Sequence, residues 1–423
     1  MHDDDHVATV MHILFFTDNF PPEVNAPATR TFEHCREWVR AGHCVTVVTC
    51  APNFPQGRIY KGYRNRPWQW EKIEGIDVLR VWSYITSNSG FAKRTIDYAS
   101  FMMTAAPASL FVRKVDLIIG TSPQLFAPCA ALASSLFKRR PYVFELRDLW
   151  PESIKAVGAM RNPRVLGVLE RLEMFLYRRS AHIVAVTNSF KQNLTGRGIA
   201  PEKISVVMNG VDLSRFRLQS RNKALSERLG LSGNIVAGYV GTHGMAHGLS
   251  TLLEAAKLLQ DTPGCSDIRM LFLGDGAEKA ALQRRAQDLG LANTIFLPSV
   301  PRSEVADYWS LLDIAIIHLK KTPLFETVIP SKLFECMAMG LPVLHGVAGE
   351  SAEIVEREGC GLTFSSEDAR ALAEGIKRLA FEPETRAAMA ERAQEASARY
   401  DRSAQAARML AILEGVASAR RST

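Results

Sequence analysis

"IVAGYVGTHGMAHGLSTLLEAAKLLQ", Ile235–Gln260, decides the fold. Ile235–Val240 reads as a short buried strand. The glycines from Gly238 to Gly248 read as a turn, and Leu249–Gln260 is apolar at helical spacing. A strand, a glycine turn and a helix in succession are the start of a βαβ unit, the building block of parallel sheets. The same succession runs along the rest of the second half, with strands expected at Met270–Leu273, Ile295–Leu297, Ile314–His318 and Val343–Leu344. Helices are expected at Glu278–Leu289, Ser303–Leu311 and Leu333–Met339.

The first half carries the pattern too. Its expected strands are His12–Thr17, Cys44–Thr49, Val78–Val81, Leu117–Gly120, Val143–Leu146, Ile183–Val186 and Ile204–Met208, with helices such as Thr29–Ala41 and Arg164–Ser180. The alternation pauses at "MNGVDLSRF", Met208–Phe216, where Asn-Gly marks a turn and the hinge is expected. The domains are therefore read as 11–209, 210–400 and a helical tail, 401–423, that packs outside or crosses back. Two doubly wound domains in tandem imply a cleft, because open α/β sheets bind ligands at the carboxyl ends of their strands.

Composition narrows the partners. A chain of 423 residues suggests two or three domains, since single cores stop growing near ~250–300 residues. The net charge is +7, but the basic residues are dispersed, so no nucleic acid is expected. A phosphate-bearing ligand or an anionic membrane surface suits that charge better. Seven cysteines without a CxxC pair argue against disulfides or zinc and fit a reducing cytosol. No run of apolar residues is long enough to span a bilayer, and no secretory leader is expected. The opening "MHDDDHVATVM" reads as a lead-in before Met11; a free tail does not fix metal-ligand geometry.

Within the second half, the loop "GTHGMAHG" lets backbone amides of Gly241 and Thr242 approach a phosphate near a helix start, His247 included; the alternative is a plain glycine turn. It is not GxGxxG, so no dinucleotide fingerprint is present. "LGDG", with Gly274 and Asp275, and "PSVPR", with Val300, line the same strand ends and offer main-chain groups to a flat base. "VIPSKLFECMAMGLPVL" then brings Pro330, Ser331, Lys332, Leu333 and Glu335 together. Ser331 suits a helix cap, the amides up to Leu333 suit a diphosphate, Lys332 adds a charge, and Glu335 accepts from a cis-diol such as ribose. The alternative is a capped helix with a solvated lysine.

In the first half, "TDNFPPEVNAPATR" places Glu23, Asn25 and Arg30 around the entry to a helix, and "RDLWPES" ends a buried strand in Arg147 and Asp148. Charged residues at the carboxyl end of a parallel strand point to a site; the alternative is a structural ion pair. "GTSPQLF", with Ser122, is similar. Phe91–Lys114 is apolar and flanked by Lys and Arg, too short to span but suited either to a bilayer surface or to an ordinary core helix.

Taken together, "TDNFPPEVNAPATR", "TSPQLFA", "RDLWPES", "VMNGVD", "YVGTHGMAHGL" and "VIPSKLFECMAMGLPVL" resemble the GT-B glycosyltransferases of retaining family four, nearly from end to end. Together they resemble in particular a bacterial O-antigen and capsule subgroup, that of the N-acetyl-L-fucosamine-type transferases. The resemblance implies an α/β fold of GT-B type, two Rossmann-like doubly wound domains facing across a cleft. It implies a retaining, hexosyl-type transfer from a nucleotide-sugar, UDP-linked, to a lipid-linked saccharide. Front-side attack is implied, with no metal and no cofactor. The protein is then expected in the cytoplasm, attached peripherally to the inner membrane surface.

Of the family's paired glutamates, Glu335 matches the second, and the first falls on Thr327, with Glu326 adjacent. The family's diphosphate-holding Arg and Lys fall on Thr242 and His247, so Lys332, helix amides and an occasionally charged His247 are expected to take over. Arg147, Asp148 and Glu23 are the candidate catalytic residues; Asn25, Arg30 and Ser122 are candidates for the acceptor. Two other readings keep the fold: a nucleotide-sugar 2-epimerase, and a non-catalytic scaffold that binds sugar nucleotides.

Overall fold

A computed structural model describes residues 10–54, 56–86, 91–156 and 162–420. The "MHDDDHVAT" lead-in, residues 1–9, lies outside the described residues. The chain divides into two compact units, one running to Met208 and regaining the chain from Ser403, the other Asn209–Arg402.

The first unit holds an eight-stranded sheet of β1 (His12–Phe16), β2 (Cys44–Cys50), β3 (Trp68–Ile73), β4 (Ile76–Val81), β5 (Leu117–Thr121), β6 (Tyr142–Leu146), β7 (His182–Ala185) and β8 (Ile204–Val206). The spatial order is β3-β4-β2-β1-β5-β6-β7-β8, and only β3 is antiparallel to its neighbour. Strand β1 lies between β2 and β5, with Phe15 opposite Val47 on one side and Ile119 on the other. Both faces of these strands are buried, which is why they read as unbroken apolar runs. Strand order reverses direction about β1, the kind of switch point at which open sheets take ligands.

Two departures from the sequence reading have local causes. Strand β3 alternates between exposed and half-buried residues because it is an edge strand, joined to β4 by a two-residue turn. Glu74 and Gly75 both have positive φ there, 45° and 85°, as a tight hairpin of this hand requires. Strand β8 stops at Val206 rather than Met208 because the carbonyls of Val207 and Met208 accept from Arg30 instead of a neighbouring strand.

The final helix, Arg402–Ala419, belongs to the core of the first unit. Met409 and Leu413, both fully buried, pack with Trp38, whose indole N–H donates to the Ala406 carbonyl at 2.9 Å. Leu413→Ala should therefore destabilise the first unit by about 2–5 kcal/mol, the range for a large-to-small change in a packed core. Urea denaturation would read it, and a cost indistinguishable from a surface substitution would contradict the packing.

The second unit is a six-stranded, wholly parallel sheet: β9 (Ile235–Val240), β10 (Ile268–Leu273), β11 (Thr294–Leu297), β12 (Ile314–His318), β13 (Val343–Gly346) and β14 (Gly361–Thr363). Its order is β11-β10-β9-β12-β13-β14, so β9 again marks the switch point. Ser250–Gln260 packs its apolar face on this sheet through Leu252, Leu253, Ala256 and Leu259. Each unit is thus a Rossmann-like α/β domain.

Candidate active site

At the carboxyl end of β9 the chain leaves the sheet through Gly241, with φ near 144°. A Cβ there would run into Nζ and Cε of Lys332, so glycine is what lets the lysine cross this point. Lys332 opens the helix Lys332–Ala338, which buries Leu333, Phe334, Cys336, Met337 and Ala338. Lys332 and Glu335, three residues apart and so on one helix face, are its half-exposed members. The lysine and the glutamate thus share the one open face of an otherwise buried helix.

Both side chains are held in place. Lys332 Nζ donates to the Tyr239 hydroxyl at 3.0 Å and sits 4.4 Å from the centre of its ring. The Tyr239 hydroxyl donates in turn to the Thr242 carbonyl at 2.9 Å. Glu335 accepts from the indole N–H of fully buried Trp309 at 3.3 Å. Burial pushes the Glu335 carboxyl above its usual range, against the pull of Arg302, Arg402, Trp309 and Lys332. Lys279 adds a second cation, donating to the Gly274 and Leu297 carbonyls at 2.8 and 2.9 Å across the ends of β10 and β11.

Several donor-side expectations need correction. Ser331 makes no side-chain cap. The Leu333 amide already donates to the Pro330 carbonyl at 3.0 Å, and the Leu333 side chain is fully buried. The helix is also only seven residues long. The positive charge at this point therefore rests on Lys332 rather than on helix amides. His247 is no occasional cation: burial, then the Lys332 ammonium, pushes it down to about 3. The glycines of the second loop serve the protein first, because a Cβ at Gly274 would strike the Gly241 carbonyl and one at Gly276 the His243 backbone. Asp275 is exposed and its carboxylate accepts from the Gly276 amide at 2.8 Å. Val300 lies half-exposed beyond the end of β11.

Neutral histidines surround this strand end. His243, fully buried, is pushed down to about 4 by burial and Lys279, and its ring nitrogens find no hydrogen-bond partner among the described residues. His318 donates from Nδ1 to the His247 carbonyl at 2.7 Å and accepts the Glu367 amide at Nε2, which fixes it as a neutral tautomer. A histidine whose folded pKa is lowered binds protons less readily than in the unfolded chain. The stability it contributes is full above the unfolded value near 6.5 and is lost as pH falls toward the folded value. The stability advantage of wild type over His247→Gln should accordingly narrow between pH 7 and about 3. Urea midpoints at several pH values would read it; an advantage that grows on acidification would contradict the neutral assignment.

The first unit presents a different picture at the ends of β1, β5 and β6. Arg147 donates from both guanidinium nitrogens to the Ala26 and Pro27 carbonyls, at 2.9 and 3.0 Å. Asp148 is pushed up to about 6 by burial, opposed by bonds from Ser153 and the Leu149 amide. These two stay half-exposed at the strand end, as a site requires.

The other four are engaged by the protein itself, and three of them are buried. Glu23 is 3% exposed and accepts from the amides of Asn53 and Phe54 at 2.7 and 2.8 Å, which makes it a loop clamp rather than a catalytic group. Arg30 is 4% exposed, paired with Glu145 at 2.9 Å and bonded to two carbonyls, so it braces the sheet and does not meet an acceptor. Ser122 is buried and its hydroxyl accepts the Arg147 and Asp148 amides. Asn25 caps the helix Ala26–Arg40 by accepting from the Ala28 amide at 2.8 Å.

The sequence reading passed over Asp18. It follows β1, and burial with help from Asp97 and Glu23 pushes it up to about 8, so it holds its proton at neutral pH. Tyr239, Trp309 and Lys279 were passed over as well, because a buried aromatic in a strand and a lysine in a helix carry no signal until their neighbours are known. Among the described residues, no group of three or more His, Cys, Asp or Glu stands ready to hold a metal ion.

Residues 222–396 match the family model of glycosyl transferases group 1, and residues 25–210 match that of the glycosyl transferase 4-like domain. The chain belongs to the group 1 glycosyltransferases. A relative named for colanic acid biosynthesis, the glycosyl transferase WcaI of Escherichia coli (strain K12), is 28% identical over 390 residues, 88% of this chain and 93% of WcaI.

Among solved structures, this glycosyltransferase overlays the sucrose-phosphate synthase of Thermosynechococcus elongatus with a TM-score of 0.75 at 16% identity, covering 97% of this chain and all of that one (100%). Anabaena HepE, crystallised with UDP-glucose, gives a TM-score of 0.69 at 20% identity over 95% of this chain and 100% of HepE. At those identities the likeness establishes the fold, which is GT-B. The GT-B glycosyltransferase described here therefore has its β9 loop and the Lys332 helix at the switch point of the second Rossmann-like unit.

Proposed function

We propose that this glycosyltransferase moves a sugar, an N-acetylated amino or deoxy sugar, from a UDP-linked donor to a lipid-linked saccharide during cell-surface polysaccharide synthesis, with retention and without a metal. The observation that carries the reading is the Lys332 ammonium, set at Gly241 by Tyr239, with Glu335 beside it on the same open helix face. An ammonium fixed at a glycine-bounded strand end suits a diphosphate, and a carboxylate about one helix turn away suits a pair of ribose hydroxyls. The UDP-glucose bound by HepE and the colanic acid role in the name of WcaI support the donor class and the pathway class.

In this reading Lys332 and Lys279 stabilise charge that builds on the departing diphosphate, an effect strongest where water is excluded. The departing oxygen helps to take the proton of the incoming hydroxyl on the same face of the sugar. The protein's remaining task is to hold donor and acceptor in line. Asp148 and Arg147 are assigned to orienting the acceptor.

The test is a panel of UDP-sugars incubated with extracted lipid-linked saccharides and read by mass. The reading expects a mass gain of one sugar on the lipid-linked product. Isomerisation of the free donor with no acceptor would replace it with a 2-epimerase, and binding without turnover against every acceptor would replace it with a scaffold.

A further inference from the structure

Large apolar side chains stand out in water on one face of the first unit. On the helix Phe91–Ala108 and the turn that follows, Ile96, Met103, Pro107 and Leu110 are exposed, while Phe101 and Ala105 face inward. The spacing of those exposed positions returns to one side of a helix, so they form a single outward stripe. Edge strand β3 adds Trp68 and Trp70, 60% and 51% exposed on the same side of the sheet. The two elements meet where the rings of Trp68 and Phe111 lie 6.1 Å apart. The end of the helix Phe126–Lys138 joins them, since Lys138 Nζ donates to the Val112 carbonyl at 2.6 Å and brings exposed Leu136 and Phe137 alongside.

Cations fringe this face. Arg113 and Lys114 follow Phe111, Arg139 and Arg140 follow Phe137, and Arg66 precedes Trp68, all of them exposed. The acids at the β3–β4 edge are already engaged: Glu71 with Arg80, Asp77 with Lys72, and Glu74 of the turn with Arg36 at 4.0 Å. Among the described residues no helix is long and apolar enough to cross a membrane. What remains is a shallow apolar surface, rich in tryptophan and phenylalanine, with a positive border. Indole and phenyl rings partition to the level of lipid headgroups, and lysine and arginine beside them are drawn to acidic headgroups.

We propose that this face, built from β3, the 96–111 stripe and the 136–140 corner, docks on the surface of an anionic lipid bilayer. Charge complementarity favours that occupant over a second copy of the chain, because two copies would set like-charged borders against each other. The docking does not depend on the donor chemistry, and its residues are separate from Lys332 and Glu335.

The experiment is co-sedimentation of the full chain with phosphatidylcholine vesicles containing about a third phosphatidylglycerol, and with pure phosphatidylcholine vesicles. The anionic vesicles are expected to bind the protein roughly tenfold better, with the difference shrinking at high salt. Trp70→Ser, Phe137→Ser and the double change Arg113→Glu with Lys114→Glu should each lower binding several-fold. Melting temperature and UDP titration serve as controls for folding and for the donor site, and are expected to stay as in wild type. Wild type failing to bind anionic vesicles, or all variants binding as well as wild type, would overturn the proposal. So would a doubling of mass in solution that these same changes abolish, since that would make the face a dimer contact.

Discussion

Lys332→Ala is expected to cost this glycosyltransferase about 2–4 kcal/mol of UDP affinity, roughly 30- to 1,000-fold, which is the range for removing one partner of a partly desolvated charge pair. Lys332 lies against Gly241 and is held by a hydrogen bond and a ring contact to Tyr239. A solvated lysine has neither. The side chain is half-exposed and packs no core, so the fold should persist: melting should shift by no more than a surface change would, within about 0.5 kcal/mol. Tyr239→Phe keeps the ring and loses the hydroxyl, and should give a smaller loss than Lys332→Ala. Calorimetric titration with UDP reads both. Equal affinity in wild type and Lys332→Ala would return Lys332 to the status of a surface lysine.

The second large effect belongs to Glu335. Glu335→Ala is expected to weaken UDP binding by roughly 10- to 100-fold, as losing charge-assisted hydrogen bonds worth about 1.5–3 kcal/mol would do. Its carboxyl is oriented by the Trp309 indole, and its pKa lies above the usual range because burial outweighs the surrounding cations. A diol needs an acceptor, so Glu335→Gln, which keeps the shape and one acceptor oxygen, should fall between wild type and alanine. Comparison with a uridine diphosphate analogue lacking the ribose 2′-hydroxyl separates this role from a structural one: the analogue should bind wild type less well and Glu335→Ala no worse than UDP itself does. A Glu335→Ala protein that is destabilised but binds UDP normally would make Glu335 a packing residue for Trp309.

The sheet cores were legible because their chemistry is local. Strands β9 and β12 coincide with the sequence reading, residue for residue, because both are apolar runs flanked by turn signals and buried on both faces. Strands β3 and β14 escaped it. The first is an edge strand whose tryptophans face outward, and the second is three residues long. Lys332 and Glu335 stood out because a charged pair on an otherwise buried helix demands a reason.

The same reasoning misplaced Glu23, Arg30 and Ser122, since a polar group at a strand end can serve a ligand or a neighbouring backbone equally well. In this protein the backbone takes them: the Asn53 and Phe54 amides, the Val207 and Met208 carbonyls, and the Arg147 and Asp148 amides. No spacing rule separates the two outcomes, because the deciding partners lie as many as 178 residues away in the chain. Tyr239 was invisible for a related reason: its value lies in a contact with Lys332 across 93 residues.

A crystal structure of the protein soaked with UDP tests the central claim most directly. The account predicts the diphosphate within hydrogen-bond reach of Lys332 Nζ at Gly241, and both ribose hydroxyls on the Glu335 carboxylate. UDP bound elsewhere on the protein, with Lys332 still on Tyr239 and Glu335 contacting only Trp309, would contradict it.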